Sequence, residues 1–342
     1  MRFSVRVGAE VLPGTPEYEW VSSVVAAVER RTGRTSRWDR RLYEGPSDQS
    51  GGKAVANGPL ILARKNVLDP VVRAYTAQAP LTPDEIVAAR QAVYVTVHEA
   101  VHHLSDAGDE EAPDAVWHGS PAEIALEEGL ADTEAVRIEM DIIRDIGMDR
   151  AVPRILDLHI SAAEYSAYNQ AVDDVVHGLA ELTEQHPDDV RAVIHRTPMA
   201  QRYAAMADLV IDHRLGDLTE HRAELRARLA EPLRSGLGAL PRYEGHDRPA
   251  EMSPQQAADI GAQHAQRAVR EVGRRLPQLR SQYAAVADMQ RFLGEHTGHS
   301  TAAGAGAGAG GAAAGAGAAA SGAAAAAAVV LPFRRELGRA VE

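Results

Sequence analysis

The run His98-Glu99-Ala100-Val101-His102 holds the most chemistry per residue in this chain of 342 residues. It reads H-E-x-x-H. On a helix, side chains four apart lie on one face, one turn above each other, so two imidazoles spaced this way can both reach one metal ion. The glutamate beside the first histidine then lies next to that ion, where it can act on a bound water. The chemistry this would support is metal-assisted hydrolysis, with His98 and His102 as ligands and Glu99 as the base.

That reading requires a helix. Thr82-Pro83-Asp84-Glu85 starts one: Thr82 is a capping residue, Pro83 suits the first helical position and Glu85 completes a capping box. Ile86, Ala89, Val93, Val97, Val101 and Leu104 then recur at spacings of three and four. The pattern predicts a helix from about Pro83 to Leu104 with one buried side, ending in the polar loop 105–109. His103 reads as a flanking surface residue.

A catalytic zinc commonly takes three protein ligands and a water. Ser120-Pro121-Ala122-Glu123 opens a second capped helix, which carries Glu127-Glu128-Gly129-Leu130-Ala131-Asp132. Glu127 shares a stripe with Glu123 and Glu134, which reads as a solvated face. Glu128 shares a stripe with Ile124, Ala125, Ala131 and Ala135, and Asp132 lies one turn on. Carboxylates on an apolar face are costly unless a cation compensates them. Glu128 is therefore assigned as the third ligand. Asp132 is assigned as the acceptor that would hold a ligand histidine by its other ring nitrogen, or else as the partner of a nearby arginine.

HEAVH followed by Glu128-Gly129-Leu130-Ala131-Asp132 resembles the gluzincin metallopeptidases, which pair H-E-x-x-H with a glutamate on the next core helix. Glu127 stands where many members carry Asn. The resemblance covers roughly residues 55–140. It implies an α+β fold: a zincin-like metallopeptidase domain with a small N-terminal mixed sheet and a predominantly helical remainder. It implies Zn2+ as cofactor and a peptide or protein as substrate. It also implies an edge strand before the active-site helix, for which Gly58 to Arg64 is the candidate. An extended peptide could pair with such an edge.

With this ligand set a zinc ion would lower the pKa of its water and polarise a carbonyl. Glu99 would take the proton and pass it to the leaving amine. The developing oxyanion needs a further donor, which gluzincins often supply as Tyr or His from a later element. Ser161-Ala162-Ala163-Glu164 starts a helix carrying Tyr165 and Tyr168. Either hydroxyl could serve, or each could be a core tyrosine with its hydroxyl at the surface. His159 and His177 are weaker candidates.

A net charge of −12 and a pI near 5.6 argue against nucleic acid as a partner. The chain has no cysteine, which excludes disulfides and thiolate ligands. The alternating start Met1 to Val7 contains no apolar signal core, so the expected location is cytoplasmic, with a non-standard export route left open. From Ala302 to Ala328 there is only Ala, Gly and one Ser. Gly and Ala are too weakly apolar for a membrane span, so this run reads as a flexible linker. Beyond it, Pro332 to Glu342 could dock on a partner.

The organisation expected is a catalytic core over 1–150, a helical extension over 151–235, a linker over 236–252, a helical hairpin over 253–296, the Ala/Gly-rich linker over 297–331 and the tail over 332–342. Two other readings stand beside the peptidase. One is a non-catalytic zincin-like module whose metal only stabilises helices. The other is a metal-free helical interaction scaffold.

Overall fold

The computed structural model describes residues 7–46, 51–158, 165–244 and 247–297. The strand expected near 2–7, the helix start at Ser161, His159 and the whole C-terminal tail therefore fall, but for Val7, outside the described residues.

The N-terminal part is a small mixed sheet packed on helices. Its strands are β1 (Glu10–Val11), β2 (Leu42–Glu44), β3 (Gly52–Ala54) and β4 (Leu60–Leu62), in the order β1-β2-β4-β3. β2 and β4 run parallel; the β1–β2 and β3–β4 pairs are antiparallel. Helix α1 (Pro16–Thr32) is capped by Thr15 and ended by Gly33 at φ 65°, and buries Val21, Val24, Val25 and Val28. Helix α2 (Asp69–Thr76) leads into α3 (Pro83–His102).

The edge strand expected at 58–64 is an interior strand. β4 is paired on both sides, and Leu60, Ile61 and Leu62 are all buried. An unbroken apolar triplet suits a strand covered on both faces, whereas an edge strand carries more polar positions. The sheet edge next to α3 is β3.

The rest is helical. It comprises α4 (Pro121–Asp145), the short α5 (Met148–Ala151), α6 (Ser166–Thr183), α7 (Pro187–Arg196), α8 (Arg202–Arg214), α9 (Arg222–Gly238) and α10 (Pro254–Thr297). The hairpin expected over 253–296 is this single helix α10. Its stripe Ala257, Ala265, Ala268, Val272, Leu276, Leu279 and Tyr283 is buried without interruption, so nothing reverses the chain. The linker expected from 236 begins inside α9, where Gly236 is a packing position: a Cβ there would lie 2.9 Å from the Ala268 side chain. No helix among the described residues is long and apolar enough to cross a membrane.

Two apolar cores result, and α4 belongs to both. Its first half, through Ala125, Leu126 and Leu130, joins the core built from α6 to α10. Its second half, through Ala135, Ile138, Ile142 and Ile143, joins the core built from the sheet, α1, α2 and α3. Residues 127–132 lie at the changeover.

There Gly129 lets α4 and α6 approach closely. A Cβ at this position would sit 2.6 Å from Val172 Cγ2 and 2.8 Å from the Tyr168 carbonyl oxygen. Backbone cannot yield as a long side chain can, so Gly129→Ala should lower the unfolding free energy by about 1–3 kcal/mol. Urea denaturation checks this; an unchanged midpoint would show that the α4–α6 spacing is slack.

Candidate metal centre

Helix α3 starts as its sequence predicts, with the reciprocal Thr82–Glu85 capping box formed. From Ala92 to His102 every residue is buried, because α3 lies between the sheet, α1, α2 and α4. Ser120 caps α4 through the Glu123 amide. The two helices lie side by side, and the histidines of α3 meet the carboxylates of α4 across the seam.

His98 Nε2, His102 Nε2 and Glu128 Oε2 form a compact triangle. His98 Nε2 is 3.1 Å from His102 Nε2 and 3.2 Å from Glu128 Oε2, and the third side is 3.6 Å. Tetrahedral ligands at zinc distances of about 2.1 Å lie about 3.4 Å apart. The triangle therefore has the size of three ligands around one ion, and the group could hold a metal.

Each imidazole is held from behind. His98 Nδ1 is 3.3 Å from Asp132 Oδ1, and His102 Nδ1 is 2.8 Å from Glu127 Oε1. A ring that donates its Nδ1 hydrogen to a carboxylate turns the Nε2 lone pair toward the centre, the arrangement common behind metal-bound histidine. Asp132 is itself fixed by hydrogen bonds from the Tyr94 hydroxyl and the Asn169 side-chain amide. Glu127 accepts a hydrogen bond from Arg202, whose other nitrogen donates to Ser105 Oγ at 2.7 Å.

The charge balance also calls for a cation. Glu99, Glu123, Glu127, Glu128 and Asp132 are all buried. Among the described residues, Arg202 is the one guanidinium that bonds any of them. Without a metal the histidines must supply the remaining charge as protons. Burial opposes this, but hydrogen bonds to Asp132 and Glu128 win and raise His98 to about 9. His102 is likewise held well above its ordinary value. Burial would raise Glu128, yet His102 and His98 lower it to about 2. Only neutral imidazoles ligate a metal, so these two protons must leave when one binds.

Glu99, the residue after His98, lies against β3. It is 2% exposed, and Gly52 makes the room: a Cβ there would lie 2.5 Å from Glu99 Cγ. The Ala54 backbone amide donates to its carboxylate. Burial, more than the opposing charges of His98 and His102, raises its pKa above the ordinary carboxylate value. Tyr165 stacks on His98 at 5.8 Å between ring centroids, and Tyr168 stacks on Tyr165 at 5.7 Å. Glu244 holds this end of α6 by accepting the Ala167 and Tyr168 amides.

All the residues assigned from sequence are thus brought together: His98, Glu99, His102, Glu128, Asp132 and the Tyr165–Tyr168 pair. His177 is on an exposed turn of α6, bonded to its own helix. Two expectations are corrected. The face of Glu123, Glu127 and Glu134 is buried, not solvated, because α4 is enclosed by both cores. His103 is also buried, at 1% exposure, against the sheet side of α3; burial holds its pKa down to about 4, and it takes no part in the triangle. Tyr94, four residues before His98, was legible as part of the same α3 face. Arg202 and Asn169 come from distant helices and leave no local signal.

No protein-family model, curated protein or solved structure matches the chain.

Two outcomes follow. Metal binding should release protons and tighten as pH rises toward about 9, since His98 must be deprotonated; titration calorimetry in buffers of different ionisation enthalpy measures this, and proton-neutral binding would exclude the histidines as ligands. Glu127→Ala should weaken metal affinity by about 10–100-fold while leaving all three ligands in place. Competition against a chromogenic chelator reads that change, and an unaltered affinity would reduce Glu127 to a structural partner of Arg202.

Proposed function

We propose that this protein is a zinc-dependent metallopeptidase of gluzincin type. His98, His102 and Glu128 hold the ion, and Asp132 and Glu127 orient the two imidazoles. The reading is carried by one observation: three ligand atoms converge at metal-binding spacing while a buried carboxylate with no ligand role, Glu99, stands beside them on the same helix. Zinc bound there would polarise a substrate carbonyl and acidify a water.

The residues of the chain do the rest. Glu99, made more basic by burial, takes the proton of the attacking water and returns it to the leaving amine. The Tyr165–Tyr168 stack on His98 supplies a hydroxyl for the oxyanion. Burial and Glu244 hold the Tyr168 hydroxyl protonated, well above an ordinary phenol, so it remains a donor. The peptide pairs with β3, the strand over Glu99. Lys53 pairs with Ile61 in that antiparallel ladder, so Gly52 and Ala54 turn their backbone groups away from β4; with the Ala54 amide given to Glu99, the Gly52 amide and the two carbonyls remain for the peptide.

A second reading has its own support. The ligand side chains are almost closed to solvent, with His102 the most exposed at 8%, as in a metal site that only locks α3 to α4. Glu99 distinguishes the two. A structural ion needs no adjacent base, and a buried carboxylate that bonds no side chain is a cost.

Glu99→Gln should keep the metal stoichiometry of the wild type and lower cleavage of a quenched-fluorescence peptide library by about 10²–10⁴-fold. A zinc-loaded wild type that cleaves nothing in the library would leave the structural reading standing.

A further inference from the structure

A second polar cavity, of about 530 Å³, lies between the C-terminal end of α1, the outer face of α4 and α7. Its wall includes Arg31, Arg34, Arg137, Arg191, Arg196 and His195. In a chain of net charge −12, five guanidinium groups share this hollow with two carboxylates, Glu134 and Asp188.

Their partners separate them into two kinds. Arg31 is paired with Asp141 and Asp145, Arg137 with Glu134 and Arg191 with Asp173. Arg34 and Arg196 have no carboxylate partner among the described residues. Arg34 is half-buried and gives its hydrogens to the carbonyl oxygens of Leu104 and His195, at 2.8 and 2.7 Å. Those bonds fix the guanidinium in place without pairing it to a carboxylate; burial and the nearby charge of Arg202 lower its pKa, and Glu127 and Glu134 offset this only in part. His195 is buried, and its Nε2 has no hydrogen-bond partner. Burial and the neighbouring arginines Arg202 and Arg34 hold that ring neutral, near 3, so it brings no charge of its own to the cavity.

We propose that this cavity binds an anionic group, either a phosphate-type oxyanion or a carboxylate, between Arg34 and Arg196. The Nη2 hydrogens of Arg34 are spent on the two carbonyls, so it offers its charge and its remaining Nε and Nη1 hydrogens, and the exposed Arg196 adds a second guanidinium. The volume exceeds that of a single oxyanion, so the ligand is a small organic molecule that carries one. The site is distinct from the metal triangle and backs onto it. Arg34 holds the carbonyl of Leu104, two residues after His102.

The full chain, metal-loaded and metal-stripped, is titrated with sulfate, inorganic phosphate and succinate against sodium chloride of equal ionic strength. At least one anion should bind once per chain in both forms. Sulfate and phosphate alone would mark an oxyanion site, and succinate alone a carboxylate site. Arg196→Glu, at an exposed position, should weaken binding about tenfold or more. Arg274→Glu on the exposed face of α10 should not. Arg34→Gln, checked for folding by near-ultraviolet circular dichroism, should weaken it too, since it removes the charge. Binding of none of the three, binding confined to the metal-loaded form, or an affinity indifferent to Arg196→Glu would overturn the proposal.

Discussion

Charge buried along the α3–α4 seam is the constraint on which this molecule is built. Taking a carboxylate out of water costs several kcal/mol unless charge and hydrogen bonds replace the solvent. The seam answers with a series of matched polar pairs running in opposite directions along the two helices. Arg90 meets Glu139 at 3.0 Å, His98 meets Asp132 and Glu128, and His102 meets Glu127. Arg202 closes the series at the far end. The two ends are fixed by arginines that are always charged. The middle has only imidazoles, which can carry a proton or a metal but not both. The centre of the seam can therefore exchange protons for a metal.

This arrangement also explains why α4 has the composition it has. The helix passes from one apolar core to the other at residues 127–132, and over that stretch it is enclosed on all sides. A helix so placed would ordinarily be apolar all round. Here Glu127, Glu128 and Asp132 interrupt Leu126, Leu130 and Ala131, and Gly129 removes a side chain where α6 presses in. Each polar residue is used: Glu128 toward the triangle, Glu127 and Asp132 behind the two histidines. Because register fixes every pair at once, a shift of one residue along either helix would leave several charges unpaired together. Such a seam specifies one packing more strictly than an apolar interface of equal area would.

How much of this was legible in the sequence follows from the range of each signal. Capping boxes and helical stripes are local, so α3 and α4 begin and run close to where their residues predict. The triangle was legible because two of its corners are four residues apart and the third stands on the next helix in an apolar stripe. The burial of Glu127 was not, since its stripe with Glu123 and Glu134 has the look of a surface. Only the packing of both cores around α4, and an arginine 75 positions away, make that face internal. The strand at 58–64 was seen but its neighbours were not, because strand order is a long-range property. Leu60-Ile61-Leu62 carried the clue, being apolar at every position. The continuity of α10 was likewise written in its unbroken stripe and obscured by Pro277, which the helix accommodates.

The placement of Glu99 weighs most in choosing between a metal that works and a metal that braces. Every other acid in the seam completes a pair with a histidine, an arginine or both, or caps a helix end. Glu99 does neither. It projects toward β3, takes one backbone hydrogen, and depends on Gly52 having no side chain. An apolar residue at 99 would fill that space at less cost, and a side chain at 52 would meet both Glu99 and Leu62. Two positions thus depart from what stability alone favours, and they depart toward each other, beside the triangle and under the open edge of the sheet. A charged group kept where folding does not need it is the usual mark of a group kept for chemistry.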